Sequence, residues 1–471
     1  MARQLPFLKP SNRNLARILL ARPILLMATS RFERSRRSAG LAVIVLCSSS
    51  FVFALNGCKH AAQQTASVTI LDPEWASPDI MPKAKYETEQ FTRETGVKVE
   101  HTPLPETAFG QLDLSRKLLR QHSPSPDVYG IDVIWPGVLA EHLLDLKPYF
   151  GAELSLLDPS VVANFTVNGK VVAMPYHVNV GVLAYRTDLL RKYGYERPPR
   201  TWDELEQIAG RIQAGERAKG AKDFWGYVWQ GAAAEGLTCN ALEWQIGEGG
   251  GQIIEFDKTI SVDNPATIRA WQRAAHWIGW ISPPGVVAYR EPDSMNLWAS
   301  GRTAFWRTWQ WQYRLSHWQE SAMENKTGFT SIPAGRGKRA GTLGGTGLAV
   351  SQYAAHPEEA IALIRFLLRR ELESRKENVH ARPPQTPELY DLPDAVDPFD
   401  HSTPPNLWES GVVARPSMFV GDKYEEVTRA YYQSVHSALV GEKSAADAAA
   451  ELERQLAAIT GFKTGPPKSE N

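Results

Sequence analysis

One stretch constrains the fold of this chain more than any other: Ser125 to Leu146, which reads SPDVYGIDVIWPGVLAEHLLDL. Its apolar run, Val128 to Ile131, is too short for a helix and carries β-branched residues, so it reads as a buried strand. Asp132 follows, Trp135-Pro136-Gly137 turns the chain, and a helical pattern begins near Val138. A buried strand that passes through a turn into a helix belongs to an open α/β sheet. Ligands of such sheets sit just beyond the carboxyl ends of the strands. Asp132 and Trp135 therefore stand where a ligand would be held. A carboxylate accepts from two hydroxyls at once and an indole offers a flat apolar face with one donor, a pairing that suits a sugar ring. The same two residues would equally serve as a helix cap and as core, and this stretch alone leaves both readings open.

The neighbouring segments place that strand in a layer. Val68 to Leu71 reads as a first strand. A helix through Tyr86 and Phe91 stops at Gly96, Val97 to His101 is a second strand, and another helix lies near Leu112 to Leu119. This βαβαβ order makes the three strands parallel. Glu74 stands at the mouth of the first strand as Asp132 does at the third. Val171 to Met174 and Gly181 to Tyr185 flank Pro175-Tyr176-His177-Val178-Asn179. Thr201 to Glu204 forms a capping box that starts a helix, and His356-Pro357-Glu358-Glu359 starts another, with Arg369 and Arg370 at its expected negative end. Trp309 and Trp311 lie two apart in an extended stretch, so both rings are expected on one side. Ser444 and Asp447 cap a last Ala-rich helix that ends at Gly461, and residues 462–471 are expected to be a disordered tail.

Lys and Arg number 52, Asp and Glu also 52, and this balance argues against a nucleic-acid partner. Of fifteen Trp, eight fall between Trp271 and Trp318, more than a core normally needs, so some are expected to line a binding surface. Arg34, Arg36 and Arg37 precede an apolar run from Leu41 to Leu55, the signature of a secretory leader, with Met27 as an alternative start. Leu55-Asn56-Gly57-Cys58 resembles the bacterial lipobox, which makes Cys58 the expected first mature residue, lipidated and anchored to a membrane, with residues 58–67 as a tether. Cys239 is then alone, so no disulfide framework is available.

The strings PDVYGIDVIWPGVLAEHLLDLKPYF, KVVAMPYHVNVGVLAYRTDLL, PPRTWDEL, GYVWQGAAAEGLTCNALEW, LWASGRTAFWRTW and HPEEAIALIRFL resemble, in order, the family 1 extracellular solute-binding proteins of carbohydrate ABC transporters. The likeness is to their trehalose/maltose-binding branch and runs from about Val68 to Ile459. It implies an α/β fold of the two-lobed periplasmic-binding type (type II-like), each lobe a sheet flanked by helices, with the ligand in the cleft between them. Residues 68–176 and about 327–382 are expected in one lobe, 177–326 and about 383–461 in the other, after a leader over 1–57. The resemblance further implies sugar contacts at Glu74, Asp132, Trp135, Tyr176 and Asn179, stacking by Trp309 and Trp311, close backbone approach at Gly345, and a late ligand arginine at Arg415. Two positions depart from the family: Asn179 stands where Asp is usual, and Thr346 where a Trp normally follows two glycines. The implied partners are a carbohydrate, ABC permease subunits and, through Cys58, a membrane, for a monomer held at the outer face of the cell envelope.

Two other classes compete. A secreted glycosidase would need two carboxyl groups facing one bond, and Glu235 and Glu243 are the candidates by spacing. A binding protein for ferric iron or a polyamine would favour clustered Tyr and His or a mostly acidic cleft. His177 has no second ligand at metal-binding spacing, so neither a metal nor a cofactor is expected.

Overall fold

The computed structural model describes residues 66–468 apart from 73–80, 106–107, 311, 313–322, 324–325 and 378–410. Glu74, Trp311 and Cys58 lie outside the described residues, as does the leader. The chain runs through β1 (Ser67–Leu71), α1 (Met81–Thr95), β2 (Lys98–His101), α2 (Ala108–Arg120), β3 (Val128–Asp132) and α3 (Pro136–Leu139). Two short helices, α4 (Gly151–Leu154) and α5 (Pro159–Asn164), and a hairpin of β4 (Thr166–Val167) and β5 (Lys170–Val171) lead to β6 (Met174–Arg186). Next come α6 (Thr187–Lys192), α7 (Trp202–Ala218), β7 (Trp225–Val228), α8 (Glu235–Gly247), α9 (Pro265–Trp277), α10 (Glu291–Ala299), β8 (Thr303–Trp309) and β9 (Thr327–Ser331). The last elements are β10 (Gly341–Val350), α11 (Pro357–Glu377), β11 (Val412–Val413), α12 (Ser417–Val420), α13 (Tyr424–Leu439) and α14 (Ala445–Thr460).

β1 lies parallel between β2 and β3, as the βαβ connection demands. Val68, Ile70 and Val128 pack under Phe91, whose ring meets Phe366 edge-on with centroids 5.4 Å apart. One carboxylate fastens this layer. Asp127 accepts from the backbone N–H and hydroxyl of Thr69 at 2.8 and 2.7 Å and from the backbone N–H of His356 at 2.9 Å. It thereby joins two strands to the start of α11, whose first four N–H groups have no partners inside the helix.

β10 then inserts antiparallel between β3 and β6, giving the order β2-β1-β3-β10-β6-β8-β7. β6 is the other shared strand: its first half pairs with β10, while Gly181 to Arg186 pair with β8 and β9. These two strands join β1–β3 to β7–β9.

β9, which begins at residue 327, pairs with the far half of β6. Two expectations are corrected here. Residues 463–465 are held rather than loose: the Ile260 N–H donates to Lys463 O and its carbonyl accepts from the Gly465 N–H, each at 2.9 Å. α11 runs on to Glu377, so Arg369 and Arg370 lie inside it and not at its end. The helix starts are as the sequence suggests, with Thr201 Oγ1 accepting from Glu204 N–H at 3.1 Å and Ser444 capping α14. Trp271, Trp277, Trp298 and Trp306 fill the second lobe's core, so half of the Trp cluster is structural.

Candidate functional site

The register of three strands builds the site's floor. Asp132, at the end of β3, sits opposite Thr346 on β10, which sits opposite His177 on β6. Residues paired across adjacent strands point to the same face, so these three side chains form one row. Asp132 Oδ1 accepts from the Ile134 N–H at 3.1 Å, which fixes the carboxylate at the turn. His177 is the residue that sequence reasoning passed over as a ligand neighbour. Its place depends on a register shift between Thr346 and Gly347: Pro175 faces Gly347 and His177 faces Thr346, leaving Tyr176 as the extra residue.

The Tyr176 side chain is buried and stacked on the His177 ring, with centroids 3.7 Å apart. Trp135 is 4% exposed and packs behind the turn, while Asp132 is half-buried.

The next residues along the shared strands form the wall. Gly344 faces Asn179, and a Cβ on Gly344 would stand 2.7 Å from both Asn179 Oδ1 and the Trp309 ring. Backbone, amide and indole thus meet with no room for a side chain. Gly345 has φ +104°, and a Cβ there would stand 1.9 Å from the His177 carbonyl oxygen; its own carbonyl accepts from the Val133 N–H at 3.0 Å. Trp309 ends β8 and is half-buried. The strand stops there, and Trp311 lies outside the described residues.

Arg415 enters from the segment before α12 and is 6% exposed. Its Nη1 donates to Glu235 Oε1 at 2.7 Å and its Nη2 to the Leu343 carbonyl at 3.0 Å. Burial by itself lowers its pKa, but its neighbours, Glu235 and Asp132 among them, more than reverse this and keep it charged. Glu235 also accepts from Tyr424 Oη at 2.5 Å and Thr428 Oγ1 at 2.6 Å. Glu243, the other candidate acid, is fully buried against Arg307, at 2.6 Å from Nη2 and 3.0 Å from Nε. The two carboxylates are each held by an arginine on a different part of the lobe. Burial pushes the Cys239 thiol up to about 12, which leaves it without nucleophilic character. Among the described residues no group of His, Cys, Asp and Glu could hold a metal, and no helix is long and apolar enough to cross a membrane.

Two buried polar atoms in this wall have no hydrogen-bond partner among the described residues: Asn179 Oδ1, an acceptor, and Arg415 Nε, a donor. Buried polar atoms are nearly always paired, and leaving one unpaired costs about 1–3 kcal/mol.

A family model described as bacterial extracellular solute-binding protein matches residues 75–372. A probable ABC transporter-binding protein of Deinococcus radiodurans is 39% identical over 407 residues, covering 85% of this chain and 96% of that one. Among solved structures, maltose-bound MalE3 of T. maritima superposes with a TM-score of 0.70 at 30% identity, covering 84% of this chain and all of that one. The GacH receptor of Streptomyces glaucescens, at 20% identity and a TM-score of 0.70, shares the two-lobed fold.

Proposed function

Since the chain belongs to the bacterial extracellular solute-binding proteins, we propose that it captures a di- or oligosaccharide of the trehalose/maltose kind between its lobes and delivers it to an ABC importer. The observation that carries the sugar reading is the pair of unpartnered atoms, Asn179 Oδ1 and Arg415 Nε, set beside the half-buried Trp309 and the side-chain-free backbone of Gly344 and Gly345. A ligand hydroxyl would donate to the first and accept from the second while a ring lies on the indole. MalE3, bound to maltose, supports the same choice. Asp132 and Thr346 supply the first lobe's contacts, and Asn179, Trp309 and Arg415 supply the second's. Closure is then driven by contacts that only the closed form makes. In this reading no bond is made or broken.

A thermal-shift screen of mono-, di- and trisaccharides and polyols, followed by calorimetry on the best, tests it directly. Trp309→Ala should weaken the best sugar by about 1–3 kcal/mol through lost area and ring contact. Its ligand-free stability should fall much less than the roughly 3–5 kcal/mol that a core Trp lost to Ala would cost. No shift with any carbohydrate would overturn the proposal.

We also propose that Cys58 carries a lipid and holds the protein, as a monomer, at the outer face of a membrane. Cys58→Ala should move the protein to the soluble fraction or stall its processing. Wild-type protein that is soluble and begins at another residue would refute the anchor.

A further inference from the structure

Trp309 has a neighbour that no sugar contact explains. Arg307 lies two residues earlier on β8, on the same face, with its guanidinium carbon 4.2 Å from the centre of the Trp309 ring. Its side chain is fully buried and forked onto Glu243, which is equally buried. Glu243 Oε1 also accepts from the backbone N–H of Thr342 at 3.0 Å, on the strand that passes between the lobes. Gly344, two residues along that strand, also lies against this indole. A buried ion pair seldom stabilises a fold more than apolar side chains of equal volume would. This one needs a reason beyond stability, and its placement supplies one.

We propose that Arg307 is a positioning residue: clamped by Glu243, it stacks on one face of Trp309 and fixes the indole, leaving the opposite side of the ring for ligand. The guanidinium is suited to this because it is flat, always charged and held in two directions by a carboxylate fork, so its plane cannot turn. A ring fixed before binding loses little freedom when the ligand arrives, and affinity rises accordingly. The affinity consequence rests on the reading of Trp309 as a sugar platform. The fixing of the ring does not.

The test uses protein labelled with 5-fluorotryptophan, in which Trp309→Phe identifies the Trp309 fluorine resonance. In the ligand-free wild type this line should be single and sharp. In Arg307→Met combined with Glu243→Gln, which removes both charges together, it should split or broaden by exchange while the remaining tryptophan lines stay sharp. Arg307→Lys keeps the charge for Glu243 but loses the flat face. It should show the same loss of order, and it serves if the double variant does not fold. A sharp single Trp309 line in a folded variant would overturn the proposal, and broadening of all tryptophan lines alike would do so too, by showing general loosening. Titration with maltose, run in parallel, should show roughly ten-fold weaker binding in the double variant. If Trp309→Ala itself leaves maltose affinity unchanged, the platform reading fails, while the fluorine spectrum still judges Arg307 on its own.

Discussion

Replacing Glu243 alone by Ala should cost about 3–5 kcal/mol of folding stability, among the largest losses any single polar substitution in this chain would produce. The reason is what it leaves behind. Arg307 is fully buried, and without Glu243 its charge loses the carboxylate it is forked onto, with only the more distant Glu291 left to act on it. The Thr342 N–H loses its acceptor as well. Urea unfolding of the ligand-free protein measures the loss directly. The contrasting change is Arg307→Met with Glu243→Gln, in which no lone charge remains, and it should recover most of the loss. Equal stabilities for Glu243→Ala and the wild type would mean that water reaches the pair.

Gly345→Ala should be nearly as damaging, by about 3 kcal/mol or more, although it adds one methyl group. Two effects combine. A φ of +104° lies outside the range an alanine readily adopts, and the new Cβ would stand 1.9 Å from the His177 carbonyl oxygen, a backbone atom that cannot rotate away. Relief requires β10 and β6 to separate where they carry the chain between lobes, so sugar affinity should fall together with melting temperature. A variant that melts like the wild type would show that the strands part there easily, and hence that the close approach is not built into the fold.

How much of this was legible in the sequence depends on the distance over which each feature is decided. The parallel order of the first three strands follows from short apolar runs alternating with helical ones. Asp132 could be found from the end of one such run. The caps at Thr201 and Ser444 are decided within four residues. The insertion of β10 between β3 and β6 is decided by pairing across more than two hundred positions of chain on the β3 side and more than one hundred and sixty on the β6 side, and no local pattern announces it. The row Asp132, Thr346, His177 exists only once that register is known. One bulge sets His177, not Tyr176, opposite Thr346, and no local pattern announces it. Trp135 fits a ligand platform or a core position by local criteria, and the turn after Asp132 packs it in the core. Arg415 was found through family likeness, but Glu235, which holds it, lies 180 residues away and was read as a possible acid.

The hold that Ile260 keeps on residues 463–465 has a practical consequence. β1, at the start of the described chain, belongs to the first lobe's sheet, while the C-terminal segment is fastened to the second lobe. In the lobe closure proposed above, the two extremities would ride on different lobes. A donor dye near Ser67 and an acceptor near Gly465 would report lobe separation through energy transfer, with no label near the sugar contacts and no change to any of them. Such a pair would turn the protein into a reagentless sensor, whose signal measures closure itself and not merely occupancy.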